Sequence, residues 1–125
     1  MKTSPSIIIS IEDFQKIKSI ISFSESRQLD LLAEELDRAE LVMSAYLPKD
    51  VVNMNSKIRF VDLETKKEQT VTLVYPEEAN ITENKISILS PIGSALIGLR
   101  VGQAIEWPIS DKKFKKIQVQ ELLTS

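Results

Sequence analysis

The segment Gly93-Ser94-Ala95-Leu96-Ile97-Gly98 carries the glycine spacing of a phosphate-cradling loop. Such a loop needs a Lys and then a Ser or Thr after its last glycine, to reach phosphate and magnesium. Here Leu99 and Arg100 follow instead. A packing role competes: Gly93 would let a helix lie close to a sheet, and Gly98 would end that helix in a left-handed turn. Carboxylates are the second source of chemistry. Glu34, Glu35, Asp37 and Glu40 crowd one segment with Arg38, as on an exposed helix face. Asp62 with Glu64, or Glu77 with Glu78, could offer oxygen ligands to a divalent cation, but no loop here has the ligand spacing and glycine of such a site. Lys112, Lys113, Lys115 and Lys116 surround Phe114. A basic stretch with a single aromatic and no stacking platform reads as a solvated hairpin. Trp107 and Tyr75 read as sheet residues with one polar tip near water.

Composition narrows the chemistry further. The 125 residues contain no Cys and no His. Thiolate and imidazole zinc sites, Cys nucleophiles, Ser-His-Asp triads and disulfide frameworks are therefore impossible within the chain. The expectation is a protein that acts by binding, with no catalytic residue, no metal and no cofactor. The formal charge of -2 offers no basic surplus for nucleic-acid phosphates, so no sequence-specific nucleic-acid contact is expected. No apolar run reaches the length of a membrane span. The apolar stretch Ile7–Ile11 is broken by Ser10 and is too short for a signal-peptide core. These features predict a cytoplasmic protein, as a monomer. Charge is uneven along the chain: residues 1–50 hold six basic and nine acidic side chains, and residues 51–125 hold ten and nine.

The elements that would position these residues can be traced by period. Ser10 reads as an N-cap, with Glu12 and Asp13 facing the positive end of a helix dipole. Phe14, Ile17, Ile20 and Ile21 follow at helical spacing. Three serines in Ser22–Arg27 break that pattern. Leu29, Leu32, Leu36 and Met43 then predict a second helix from about Gln28 to Met43, with Glu34 and Arg38 as an i,i+4 pair. Two apolar stripes joined by a short turn predict an antiparallel helical hairpin. The period becomes two after Pro48, so the boundary is set at residues 47 and 48: a hairpin over 1–47 and a second unit over 48–125. Ile58, Phe60 and Asp62 alternate in one strand; Val71, Leu73 and Tyr75 alternate in the next, across a turn at Glu64–Lys67. Ile86 and Ile88 mark a third strand. Ser90 as N-cap and Pro91 at the first helical position open a short helix. Strands over Ala104–Trp107 and Ile117–Leu122 complete an α+β outline in which a mainly antiparallel sheet packs on one short helix.

Three blocks carry a family resemblance: Leu36-Asp37-Arg38-Ala39, Asp50-Val51-Val52-Asn53-Met54-Asn55-Ser56 and Leu73-Val74-Tyr75-Pro76. A fourth block runs from Ile88 to Leu99 and contains Ser90-Pro91-Ile92. Together, from about Ile7 to Trp107, they resemble the Gre (GreA/GreB) family of bacterial transcript-cleavage factors, and within it the Rnk-type regulators of nucleoside diphosphate kinase. The resemblance implies an FKBP-like C-terminal part that docks on the coiled-coil rim of the RNA polymerase secondary channel, with Ser90, Pro91 and Ile92 at the contact. It also implies an N-terminal coiled coil pointing into the channel, its tip at Phe23, Ser24 and Glu25.

In Gre factors two carboxylates at that tip hold a second magnesium ion in the polymerase active centre. This chain offers only Glu25 there, with Arg27 nearby, and its second helix would span only about 24 Å. The expectation is polymerase binding in competition with Gre-like factors, without stimulation of RNA cleavage. Two alternatives remain: an FKBP-like prolyl isomerase, and a direct binder of nucleoside diphosphate kinase.

Overall fold

A computed structural model describes residues 7–22, 27–110 and 112–123. The chain begins with a short strand, β1 (Ile8–Ser10), and passes directly into helix α1 (Ile11–Ile21). Ser10 ends the strand and caps the helix, accepting the Asp13 N–H at 3.1 Å. Helix α2 (Arg27–Asp37) returns antiparallel to α1, and Lys18 ties the pair by an ion pair to Asp37 at 2.8 Å.

The second helix is shorter than its apolar spacing predicts. It stops at Asp37, and Glu40–Val42 form strand β2, paired in parallel with β1. The Glu40 N–H bonds to the Ile7 carbonyl at 2.9 Å rather than continuing the helical ladder. Met43 is therefore no helical core residue; it is 60% exposed. Arg38 lies beyond the helix end and pairs with Glu35, not with Glu34. Glu35 is buried, so this part of the acidic cluster is not the solvated face expected of it.

A five-stranded sheet follows in the order β5-β4-β3-β7-β6. Its members are β3 (Lys57–Asp62), β4 (Glu68–Val74), β5 (Lys85–Ser87), β6 (Ala104–Pro108) and β7 (Phe114–Leu122). All pairings are antiparallel except β4 with β5. Strand β7 begins at Phe114, before the Ile117 expected from the sequence, because Trp107 and Pro108 of β6 pair with Lys115 and Phe114. Between Arg59 and Phe60 the register of β3 on β7 slips by one, and this bulge adds local twist. Helix α3 (Pro91–Leu96) packs on the sheet, with Ser94, Ala95 and Leu96 buried.

One apolar core runs through these elements. Ile9, Ile17, Leu32 and Leu36 of the N-terminal part join Ile58, Leu73, Leu96, Leu99, Trp107 and Ile117 in a single cluster. Trp107 is 0% exposed, which corrects the expectation of a polar tip near water: its place on β6 turns the whole indole inward. No helix of the described residues is long and apolar enough to cross a membrane. The architecture is the expected α+β arrangement of helical hairpin, sheet and single short helix.

Candidate functional site

Residues Ser90, Pro91 and Ile92 stand where β5 gives way to α3. The Ser90 backbone is extended, and its hydroxyl oxygen accepts the Gly93 N–H at 3.1 Å. The same hydroxyl donates to the Ser87 carbonyl at 2.7 Å. Ser87 in turn accepts the Leu89 N–H on its side chain at 2.9 Å, and Ser94 donates its hydroxyl to the Ile88 carbonyl at 2.8 Å. Pro91 occupies the first turn of the helix, where no N–H is needed. The segment is thus pinned on both sides while Ser90, Pro91 and Ile92 stay partly exposed. A segment that loses little freedom on contact suits recognition.

Close packing beneath this segment explains its glycines. A Cβ on Gly93 would stand 2.2 Å from the Ser87 carbonyl oxygen. Gly98 takes φ +81°, and a Cβ there would stand 2.6 Å from Ile7 Cβ. Both glycines therefore serve packing and helix termination, not phosphate binding.

The chain preceding β5 forms two tight turns, Pro76–Glu78 and Ile81–Glu83. Glu77 and Glu78 are exposed there, and Glu83 is paired with Lys85 at 3.2 Å. Of the other candidate pair, Glu64 is exposed and Asp62 has structural partners. Asp62 accepts the N–H groups of Glu64 at 2.9 Å and Thr65 at 3.2 Å, closing the β3–β4 turn, and Lys115 lies 3.6 Å away. Those two backbone donors, with Lys115 adding to them, hold the Asp62 carboxyl below its usual pKa of 3.8. Among the described residues no three acidic side chains converge as they would around a metal ion. Phe114 is exposed at the start of β7, within its run of lysines.

Phe23, Ser24 and Glu25, the expected tip of the hairpin, lie outside the described residues. The helices that lead to it are each 11 residues long, about 17 Å at ~1.5 Å per residue.

One contact has no signal in the sequence. The Tyr75 hydroxyl donates to Asp13 Oδ1 at 2.8 Å, joining residues 62 positions apart. The second Asp13 oxygen accepts the Met54 N–H at 3.5 Å, and Lys16 Nζ lies 4.7 Å from the Tyr75 ring centroid. Burial first, and then the Asp13 carboxylate, push the phenol's pKa far above its ordinary value of 10.0, so it stays a proton donor throughout the neutral range. Asp13 reads from sequence as a helix-dipole residue alone, and Tyr75 as a strand residue. Only the fold brings them together.

Comparison with known proteins places this geometry among relatives. The family model described as "Transcription elongation factor, GreA/GreB, C-term" matches residues 47–122. The chain is 35% identical over 121 residues to the "Regulator of nucleoside diphosphate kinase" of Escherichia coli strain K12, covering 94% of this chain and 89% of that protein. It is 38% identical over 93 residues to the transcription elongation factor GreA of Thermodesulfovibrio yellowstonii, covering 74% of this chain and 58% of the relative. A solved GreA/GreB structure from Nitrosomonas europaea superposes with a TM-score of 0.78 at 37% identity, over 97% of this chain and 100% of that one.

Proposed function

The chain belongs to the GreA/GreB family of transcription elongation factors, and from that premise we propose that it is a non-catalytic regulator of RNA polymerase. It docks at the rim of the secondary channel and excludes Gre-like factors without stimulating RNA cleavage. The observation that carries the docking is the pinned, partly exposed Ser90-Pro91-Ile92 segment within the region the family model matches. Apolar Pro91 and Ile92 would supply the contact.

The lack of cleavage rests on the hairpin. A second magnesium ion needs converging carboxylates, and between Ile21 and Arg27 the sequence supplies Glu25 alone. Helices of 11 residues also give the hairpin little reach. An effect on nucleoside diphosphate kinase, the activity named in the Escherichia coli relative, then follows indirectly, through transcription. The protein acts in the cytoplasm, where the polymerase is.

The test is co-purification with core RNA polymerase. The intact chain binds; Pro91→Ala and Ile92→Ala each weaken binding by about tenfold or more, the scale of a buried anchor residue. Ser90→Ala also weakens it, by loosening the helix start. Absence of binding by the intact chain overturns the proposal. On stalled elongation complexes the chain produces no RNA shortening, and it suppresses the shortening a Gre factor causes. Shortening that disappears in Glu25→Gln refutes the non-catalytic part.

A further inference from the structure

The first turn of α1 meets the sheet body through part-buried polar contacts at Asp13. Tyr75 is 7% exposed, and its hydroxyl is held by Asp13 at 2.8 Å. We infer that Asp13 and Tyr75 form a joint that sets the direction of α1, and with it the helical hairpin, relative to the sheet. Both are thus positioning residues for whatever the turn between α1 and α2 reaches.

The argument is one of attachment. Helix α1 packs on α2, β1 and β2, all parts of the N-terminal region itself. The other links from that region to the sheet body run through α2, which packs on α3, and through β1, whose Ile8 N–H bonds the Gly98 carbonyl at 3.2 Å. These act on neighbours of α1; α1 itself enters the common core through the buried Ile17, an apolar contact that fixes no direction. At Asp13 the helix itself is gripped: one carboxylate oxygen takes the phenol, the other takes the Met54 N–H at 3.5 Å, and Lys16 one turn later covers the Tyr75 ring. Tyr75 directly follows β4, and Met54 precedes β3, so the grip joins the helix to two points of the sheet body. A buried phenol is directional, unlike apolar contact, because its hydrogen bond weakens steeply once the geometry turns. Apolar packing by itself would tolerate a small roll or tilt of α1; the joint does not.

The absence of Cys makes the test clean, since two introduced cysteines label nothing else. Ser19→Cys on the exposed side of α1 and Lys113→Cys near the β6–β7 turn carry nitroxide labels, and electron–electron double resonance reads their separation. The expected result is a narrow distance distribution in the otherwise unmodified chain and a broadened or displaced one in Tyr75→Phe, which keeps the ring and its packing. Asp13→Asn keeps one acceptor oxygen for the phenol and gives up only the longer bond from the Met54 N–H, so its distribution stays close to the narrow one, whereas Asp13→Ala behaves as Tyr75→Phe does. The double variant Asp13→Ala with Tyr75→Phe adds nothing to either single change.

Superimposable distributions with and without the Tyr75 hydroxyl overturn the joint, and so does a displacement that Asp13→Asn shares with Asp13→Ala. Near-ultraviolet circular dichroism checks that each variant is folded; where Tyr75→Phe is not, Asp13→Ala and Asp13→Asn decide the matter between them. No polymerase is needed for the readout, so this inference can fail while the docking proposal stands.

Discussion

Asp62 shows how a residue with catalytic potential can be occupied by structure. Its carboxylate closes the β3–β4 turn by accepting two backbone N–H groups, while Lys66 in the same turn takes the left-handed φ of +65°. Ionised oxygens accept such bonds more strongly than neutral ones, which is why the folded pKa lies below 3.8. The sign of the pH effect follows. A depressed carboxylate contributes stability that is present above its unfolded pKa and is lost as the pH falls through the folded value. Asp62→Asn is therefore expected to be less stable than the parent chain at neutral pH, with the gap closing below about pH 4, the carboxylate's unfolded range. Urea unfolding of both proteins at neutral pH and near pH 3 checks it; a constant gap contradicts the assignment. The pair Asp62 and Glu64 is visible in the sequence as two nearby acids. That one of them is consumed by backbone donors depends on the turn's geometry, which the residue types alone do not specify.

At the scale of elements, the start of α3 is the clearest case of local chemistry deciding structure. Ser90 caps, Pro91 enters without needing an N–H, and Gly93 allows the helix to lie against the Ser87 carbonyl. Gly93→Ala would force a methyl to within 2.2 Å of that oxygen, so a loss of about 2 kcal/mol or more is expected. Gly102 makes the control: it has φ +96° but open space around it, so Gly102→Ala costs only the left-handed backbone, about 1 kcal/mol. Thermal unfolding that ranks Gly102→Ala as the worse of the two would contradict this account of the helix–strand contact. The same element is legible in the sequence because its signals are local: cap, proline, glycine and apolar face lie within ten residues of one another. The end of α2 is not. Leu36 and Met43 keep helical spacing, yet β2 replaces the last turns, because Glu40–Val42 find a partner in β1, some 30 residues earlier. A strand of three residues is too short to show a period of two.

For the molecule as a whole, the core decides how the parts depend on one another. Ile9, Ile17, Leu32 and Leu36 share one apolar cluster with Leu96, Leu99 and Trp107, so the hairpin and the sheet bury each other's surface. Unfolding is expected to be a single transition: fluorescence of the fully buried Trp107 and far-ultraviolet ellipticity should change together with denaturant. Two separated transitions would show that the hairpin melts by itself.

What the sequence alone determined was the chemistry available and the local elements. A chain without Cys or His has no thiol or imidazole catalysis open to it, whatever its fold. The α+β order, the cap at Ser10 and helix α3 (Pro91–Leu96) follow from spacings within a few residues. Tertiary structure decided the matters that depend on distant residues. Pairing of β1 with β2, burial of Glu35 and Trp107, and the Asp13–Tyr75 contact each join segments whose separation along the chain carries no pattern. Local signals act through the few neighbours that backbone sterics and capping bring together, whereas long-range contacts exist only once the core has offset the entropy of bringing their segments side by side.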